Sequence, residues 1–229
     1  MKSMPRSPKL LPIIASLTKY YGAPPSPLTA DPFEVILLEN VAYLVTDERR
    51  EAAFAALRKR AGTKPHQVLA ASPESLMEVA SLGGIHPEQR ASRLREIALI
   101  AMGEYGGRLQ DVLSLPPAKA KQALRKFPGI GEPGAEKVLL FARAYQFLAL
   151  DSNGLRVLLR VGFGEEKKNY TGSYRTVREA VKDQLPDDYD WLISAHLLLR
   201  QHGKVLCKTT KPLCEKCPVR KACDYFLKR

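Results

Sequence analysis

The chain has 229 residues, 45% of them hydrophobic, which is enough for one large domain or two small domains with buried cores. Lys and Arg (36) outnumber Asp and Glu (24), and the formal net charge of +12 favours a polyanionic partner. No apolar run reaches the ~18 residues of a membrane span, so we expect a cytoplasmic protein that does not bind membranes.

The first predicted helix lies near the N-terminus. Basic residues before an apolar segment give this region some features of a signal peptide, but Pro12 and Lys19 interrupt it and no A-x-A cleavage site follows. One helical face instead collects the apolar residues Leu10, Ile13, Ile14, Leu17 and Tyr21. We therefore expect a docked helix, followed by a stiff proline-rich connector.

The second predicted helix begins at Pro32, with Asp31 as its N-cap. It is apolar on nearly all sides from Val35 to Val45, which is typical of a buried helix, and Glu39 and Asn40 are the exceptions. A buried carboxylate is costly unless it is paired, hydrogen-bonded or protonated. Glu39 is therefore either a functional acid or a structural partner of a neighbouring helix end or polar seam, and both alternatives stay open.

Three further helices are predicted at about 48–60, 72–80 and 87–105. Residues 119–145 then predict a helix, a tight turn that cannot be helical, and a second helix. The turn contains Gly129, Ile130 and Gly131. Glycines let backbone N–H groups approach a phosphate, and the second helix presents its positive end there, so this turn is a candidate phosphate-binding site.

The same turn also spells a dinucleotide-binding fingerprint, Gly129-x-Gly131-x-x-Gly134, with Asp151 near the place of a ribose-binding acid. That fingerprint must follow a buried strand. The charged, helical run before Gly129 argues against this alternative.

Helices are predicted again at about 173–185 and 189–202, the second ending at Gly203 as its C′ residue. No strand of any length is predicted, so the fold class is all-α. The simplest interpretation of Asp151 is an N-cap for a helix that begins at Asn153.

All four cysteines fall within seventeen residues near the C-terminus, spaced C-x6-C-x2-C-x5-C: Cys207, Cys214, Cys217 and Cys223. Such clustering predicts a metal site in a reducing compartment, and thiolates suit either zinc or an iron–sulfur cluster. The thirty positions from Arg200 to Arg229 hold nine basic and two acidic residues, a basic region suited to nucleic acid.

Three features of the sequence together resemble the helix-hairpin-helix, Gly/Pro, aspartate signature of the endonuclease III superfamily of DNA glycosylases. They are FPGIGEPGA at 127–135, LDSNGLRV at 150–157 and the cysteine spacing. The resemblance runs from about Asp31 to Cys223. It implies a two-lobed fold with a central domain at 31–145, a second domain from 1–30 plus 146–229, and DNA across the cleft. It also implies a structural [4Fe–4S] cluster on the four cysteines.

The resemblance further implies roles for individual residues. Glu39 falls where mismatch adenine and mismatch thymine glycosylases carry a catalytic glutamate, and Asp151 falls where the catalytic aspartate stabilises positive charge on the sugar. Asn153 also matches that mismatch branch. A side chain in the loop before residue 87, Ile85 or His86, would insert into the duplex, although an ordinary turn is the alternative there.

Pro133 departs from the bifunctional members, which carry a lysine at this place whose amine forms a Schiff base. Proline has no nucleophile, so no AP lyase activity is expected. Lys137, one turn on, is the nearby amine, and we expect it to be solvated or to contact DNA phosphate.

We therefore predict a monomeric, monofunctional DNA glycosylase of base excision repair, acting on double-stranded DNA with a mispaired or damaged base. Uracil or thymine opposite guanine is favoured, since mismatch adenine enzymes carry a further C-terminal domain and this sequence stops at Arg229. The alternatives are an adenine or damaged-purine glycosylase, a catalytically inactive DNA-binding homologue, and a zinc-ribbon-like nucleic-acid binder.

Overall fold

The computed structural model describes residues 8–228, and this part of the chain is helical with no β-strand, which confirms the predicted all-α class. Thirteen α-helices are described: α1 Leu10–Tyr21, α2 Pro32–Val41, α3 Asp47–Arg60, α4 Pro65–Ala70, α5 Pro73–Leu82, α6 Pro87–Tyr105, α7 Gln110–Leu113, α8 Pro117–Leu124, α9 Glu132–Phe141, α10 Ser152–Val161, α11 Tyr170–Val181, α12 Tyr189–Val205 and α13 Asp224–Leu227. None of these helices is both long and apolar enough to cross a bilayer.

The chain forms two compact units. One unit is Pro27–Tyr145, which contains α2 to α9. The other combines the N-terminal segment through Ser26 with the segment from Gln146 onward, and so contains α1 and α10 to α13.

Helix α2 begins as predicted, because the Asp31 side chain accepts a hydrogen bond from the Glu34 N–H and Pro32 fills the first turn. It ends at Val41, so the expected continuation to Val45 is wrong. The chain turns extended at Ala42, and the Tyr43 N–H donates to the Gly83 carbonyl at 3.0 Å. A tertiary hydrogen bond thus replaces the next helical one.

Helices α3, α5 and α6 match the predictions to within two residues at each end. The sequence analysis missed α4, a six-residue helix whose Gln67 side chain accepts hydrogen bonds from the backbone N–H groups of Thr63 and Lys64. It extended α9 to Tyr145, whereas that helix ends at Phe141 and Arg143 adopts a left-handed φ of 54°.

In the other unit, α1 buries the predicted face of Leu10, Ile13, Ile14 and Leu17. Helix α12 continues through Gly203 to Val205, so the prediction of Gly203 as a C′ residue is wrong. A Cβ at Gly203 would lie 2.7 Å from the Cβ and carbonyl oxygen of Asn153. This glycine is therefore a close-packing position between α10 and α12, next to a predicted site residue.

Candidate active site and cysteine-lined cavity

The hairpin between α8 and α9 is held by a side chain from α2. Asn40 is buried, and its Nδ2 donates to the carbonyl oxygens of Ile36 at 3.0 Å and Pro128 at 2.9 Å. Gly129 has a left-handed φ of 73°, and a Cβ there would lie 2.8 Å from Asn40 Oδ1. The polar exception in an apolar helix thus supports the hairpin turn, a role that the sequence analysis did not assign.

The three predicted phosphate-binding residues of the turn differ in accessibility. Ile130 is buried and its N–H donates to the Phe127 carbonyl, whereas Gly129 and Gly131 are exposed. The candidate phosphate contact therefore rests on the two glycines. Glu132, in the first turn of α9, adds a negative charge nearby that the Lys121 ammonium partly offsets at 3.5 Å.

Glu39 lies on α2 between two cations from other helices. Its Oε1 is 2.6 Å from Arg50 Nη2 on α3, and its Oε2 is 2.6 Å from Lys137 Nζ on α9. Arg50 also donates to the Leu38 carbonyl at 3.1 Å. The glutamate side chain is 23% exposed, so this is a partly buried ionic cluster at the edge of solvent.

Of the two expectations for Lys137, solvation is wrong and contact with DNA phosphate stays a prediction. Its side chain is only 14% exposed and is engaged by Glu39. The sequence analysis did not identify Arg50 as a site residue, because an arginine within the charged sequence DERREAAF is typical of a solvated helix face. Only the packing of α3 against α2 places it beside Glu39.

The loop after α5 is packed closely against the loop after α2. A Cβ at Gly83 would overlap the Val41 carbonyl oxygen, and Arg90, buried at the start of α6, donates to the Ile85 carbonyl. The Ile85 side chain is exposed, and His86, also exposed, adopts a left-handed φ of 56° as the N-cap of α6. The two predicted wedge residues therefore stand on a supported turn.

The loop after α2 adds apolar surface to this turn. Tyr43 and Leu44 are exposed, Leu44 by 78% and with a left-handed φ of 55°. Both had been assigned to the buried helix of Glu39. They are instead exposed on the loop that packs against Gly83 and Gly84, which the sequence pattern alone did not indicate.

Asp151 caps the helix that follows it. Its Oδ1 accepts from the Gly154 N–H at 2.8 Å, and its Oδ2 accepts from Asn153 Nδ2 at 3.1 Å. Arg200 of α12 brings its Nε to 3.7 Å from Oδ2. The carboxylate is thus fixed from two sides, and its capping role, one of the two alternatives considered for it, is present.

The Asn153 side chain is held by Arg156, which lies on the same helix, α10. Arg156 Nη2 donates to Asn153 Oδ1 at 2.9 Å and to the Gly203 carbonyl at 2.8 Å, while its Nε donates to the Cys207 carbonyl at 2.9 Å. Burial lowers the pKa of the Arg156 guanidinium below its usual value. Arg156 was not predicted, but it lies one helical turn after Asn153, a spacing that could have indicated it.

Tyr170 lies in the same neighbourhood. Its hydroxyl donates to the Leu150 carbonyl at 3.2 Å, and burial together with the nearby Asp151 charge raises the pKa of the phenol. The tyrosine therefore stays neutral and acts as a hydrogen-bond donor beside the aspartate.

The four cysteines line one small, largely apolar cavity together with Arg160, and they form no disulfide. Arg160 Nη1 lies 3.4 Å from Cys207 Sγ, and His202 Nε2 lies 3.5 Å from Cys217 Sγ. In the residues that the structure describes, no three side chains are placed to chelate a metal ion as they stand.

Burial raises the pKa of the Cys217 thiol to about 11 and also raises that of Cys223. Thiols in this cavity therefore need an electropositive centre among them to become thiolates. Four sulfurs around one cavity are a ligand set that fits a thiolate-bound metal centre. His202 lies between the Cys217 sulfur and the Tyr21 hydroxyl, which is 3.0 Å from its Nδ1, and so orients one of the four ligands.

No protein-family model matches the chain. Endonuclease III of Thermotoga maritima is 30% identical over 199 residues, which cover 87% of this chain and 85% of that protein. Thymine-DNA glycosylase of Aeropyrum pernix is 27% identical over 198 residues, covering 86% of this chain and 84% of the relative. A solved structure of a trapped endonuclease III–DNA covalent intermediate has a TM-score of 0.74 at 21% identity, covering 96% of both chains, which shows a shared fold.

Proposed function

Because the chain belongs to the endonuclease III family of DNA glycosylases, we propose that it hydrolyses the N-glycosidic bond of a mispaired or damaged base in double-stranded DNA. We assign uracil or thymine opposite guanine as the base. The observation that carries the proposal is the fixed carboxylate of Asp151, which belongs to the Asp-Ser-Asn segment of the family resemblance. Gly154, Asn153 and Arg200 hold this carboxylate in place.

Asp151 acts on the sugar. Cleavage of an N-glycosidic bond develops positive charge on the sugar ring, and a carboxylate that is already oriented stabilises that charge without reorganising. Hydrogen bonds from Gly154 and Asn153 hold the Asp151 carboxylate in place. The same side chain therefore caps α10 and supplies the negative charge opposite the sugar.

Glu39 acts as the general base for the attacking water. Each of its oxygens lies 2.6 Å from a cationic nitrogen, which favours a carboxylate that takes a proton from the attacking water over an acid that donates one. A catalytic glutamate at this place could protonate the departing base or activate the water, and the two ion pairs favour the second role.

DNA binding rests on the exposed Gly129 and Gly131 turn, on the apolar loop tip of Ile85, and on the basic residues between positions 200 and 229. A base in a mismatch costs less to unstack than a paired one, which favours a mispaired base as the target.

The enzyme is monofunctional, because Pro133 in the first turn of α9 offers no amine to the sugar. Borohydride should trap no covalent complex with an abasic duplex. Efficient trapping that disappears in Lys137→Gln would show that Lys137 forms a Schiff base and would remove the monofunctional assignment.

We also propose that Cys207, Cys214, Cys217 and Cys223 hold a [4Fe–4S] cluster, which supplies a structural cross-link for the C-terminal segment. Anaerobically purified protein should be brown and contain about four iron atoms and four sulfides per chain, as a cluster of this type requires. About one zinc and no iron would overturn the assignment.

Single-turnover assays test the activity directly. The duplexes carry uracil or thymine opposite guanine, adenine opposite 8-oxoguanine, hypoxanthine, or an alkylated purine. Release of uracil or thymine supports the proposal. Release of a purine alone would reassign the substrate, and tight binding without any release would identify a non-catalytic DNA-binding homologue.

A further inference from the structure

The two cations that hold Glu39 differ in what they can do. Arg50 bridges the carboxylate and the Leu38 carbonyl, and its guanidinium cannot be deprotonated in a protein, so it can only hold and neutralise. Lys137 presents an ammonium, which can give up a proton to a neighbour and regain it. The structure thus places one permanent and one exchangeable cation on the same carboxylate.

Base release leaves an electron pair on the departing base, which must be neutralised. Glu39 is poorly arranged to supply that proton, because each of its oxygens is paired with a cationic nitrogen at 2.6 Å. The Lys137 ammonium is 2.6 Å from Glu39 Oε2, partly buried and at the edge of solvent. It is the proton-bearing group of this cluster.

We propose that Lys137 is a catalytic residue that donates a proton to the departing base, while Glu39 accepts the proton of the attacking water. This inference rests on the proposed glycosylase activity. It makes the Lys137–Glu39 contact a donor and acceptor pair rather than a structural ion pair alone.

The step balances without a further reactant. The bond between the sugar C1′ and the base nitrogen breaks, the base keeps both electrons, and that nitrogen takes a proton from Lys137 Nζ. Water forms the new C1′–O bond and gives its proton to Glu39. The glutamic acid and the neutral amine then restore the ion pair by passing one proton across the 2.6 Å contact between Nζ and Oε2.

Dependence on the leaving group tests this role. Single-turnover release of uracil is compared with release of 5-fluorouracil, a more acidic and therefore better leaving group, each opposite guanine in the same duplex. If Lys137 donates the proton, Lys137→Gln should slow uracil release at least about tenfold more than 5-fluorouracil release, since a better leaving group needs less general-acid help.

Two matched variants separate proton donation from charge. Lys137→Arg keeps a cation beside Glu39 but cannot donate, so it should show the same leaving-group dependence as Lys137→Gln. Arg50→Gln removes the permanent cation and should slow both bases by a similar factor. Thermal unfolding of each variant confirms that it is folded, and the Lys137→Arg comparison stands even where Lys137→Gln is unstable.

Equal slowing of both bases by Lys137→Gln, or recovery of the uracil rate by Lys137→Arg, would overturn the inference while leaving the glycosylase intact. Release of neither base by the wild-type protein would instead overturn the proposed function and this inference with it.

Discussion

Asp151 and Glu39, the two candidate catalytic carboxylates, are held in opposite ways. Asp151 takes two hydrogen bonds from residues two and three positions further along the chain, and α12 adds one arginine. Glu39 has ion pairs to Arg50 on α3 and to Lys137 on α9, both remote in sequence. One carboxylate is positioned mainly by its own sequence segment, the other by the packing of three helices.

This difference predicts different responses to substitution. A local cap tolerates a neutral side chain that still accepts hydrogen bonds, so charge and fold can be separated at Asp151. At Glu39 the charge also neutralises two cations, so its loss affects catalysis and local packing together.

The largest effect is expected for Asp151→Asn. Asparagine still caps a helix but carries no charge. An opposite charge at about 4 Å in an effective dielectric of about 20 contributes roughly 4 kcal/mol, which is about three decades in rate. Single-turnover base release should fall by that factor while affinity for an abasic duplex is largely kept.

Ser152→Ala, at the exposed first position of α10, is the matched control and should change neither property. Equal losses of binding and turnover in Asp151→Asn would mean that the aspartate is mainly a helix cap.

Glu39→Gln should lower base release by about two decades, the lower end of what general acid–base groups contribute. The glutamine keeps the shape but leaves Arg50 and Lys137 without their counter-charge. Because the site is partly exposed, we expect a stability loss of only about 1 kcal/mol. Single-turnover rates and thermal unfolding measure the two effects.

Glu51→Gln, exposed on the same helix as Arg50, serves as control and should leave both the rate and the stability unchanged. If Glu39→Gln retains the wild-type rate, Glu39 is only a structural partner of the two cations.

Gly203→Ala tests the packing under the Asp151 site. The new methyl group would meet Asn153 at 2.7 Å, so overpacking should cost about 1–3 kcal/mol. Displacement of Asn153 should also slow base release.

Gly103→Ala is the matched control for Gly203→Ala. A methyl group at position 103 meets no atom within 4 Å, and an alanine there should stabilise α6 by up to about 1 kcal/mol. Equal stabilities of the two variants would contradict the close approach of α10 and α12.

Tyr170→Phe should have the smallest effect. It removes the hydrogen bond to the Leu150 carbonyl, worth about 1 kcal/mol of unfolding free energy. The rate should change by only a few-fold, since the neutral phenol does not alter the charge at Asp151. A loss comparable with that of Asp151→Asn would show instead that the hydroxyl takes part in catalysis.

The sequence by itself determined the features that depend on near neighbours. A capping residue and a proline placed the starts of α2 and α5, because a cap satisfies backbone N–H groups within three residues of itself, and Pro87 placed the start of α6. The same local logic predicted the cap at Asp151, and the clustered cysteines, whose sulfurs line one cavity, predicted a metal site.

Only the tertiary structure decided what lies beside Glu39, where α2 ends and why α12 contains a glycine. Arg50 and Lys137 come from distant parts of the chain, and a charged residue on a helix surface does not encode which neighbour will meet it. Helix α2 ends early where the Tyr43 N–H bonds to the Gly83 carbonyl, and the glycine at position 203 marks the close approach of Asn153 rather than the end of α12. In each case a contact with a remote segment outweighs a local preference of at most about 1 kcal/mol per residue.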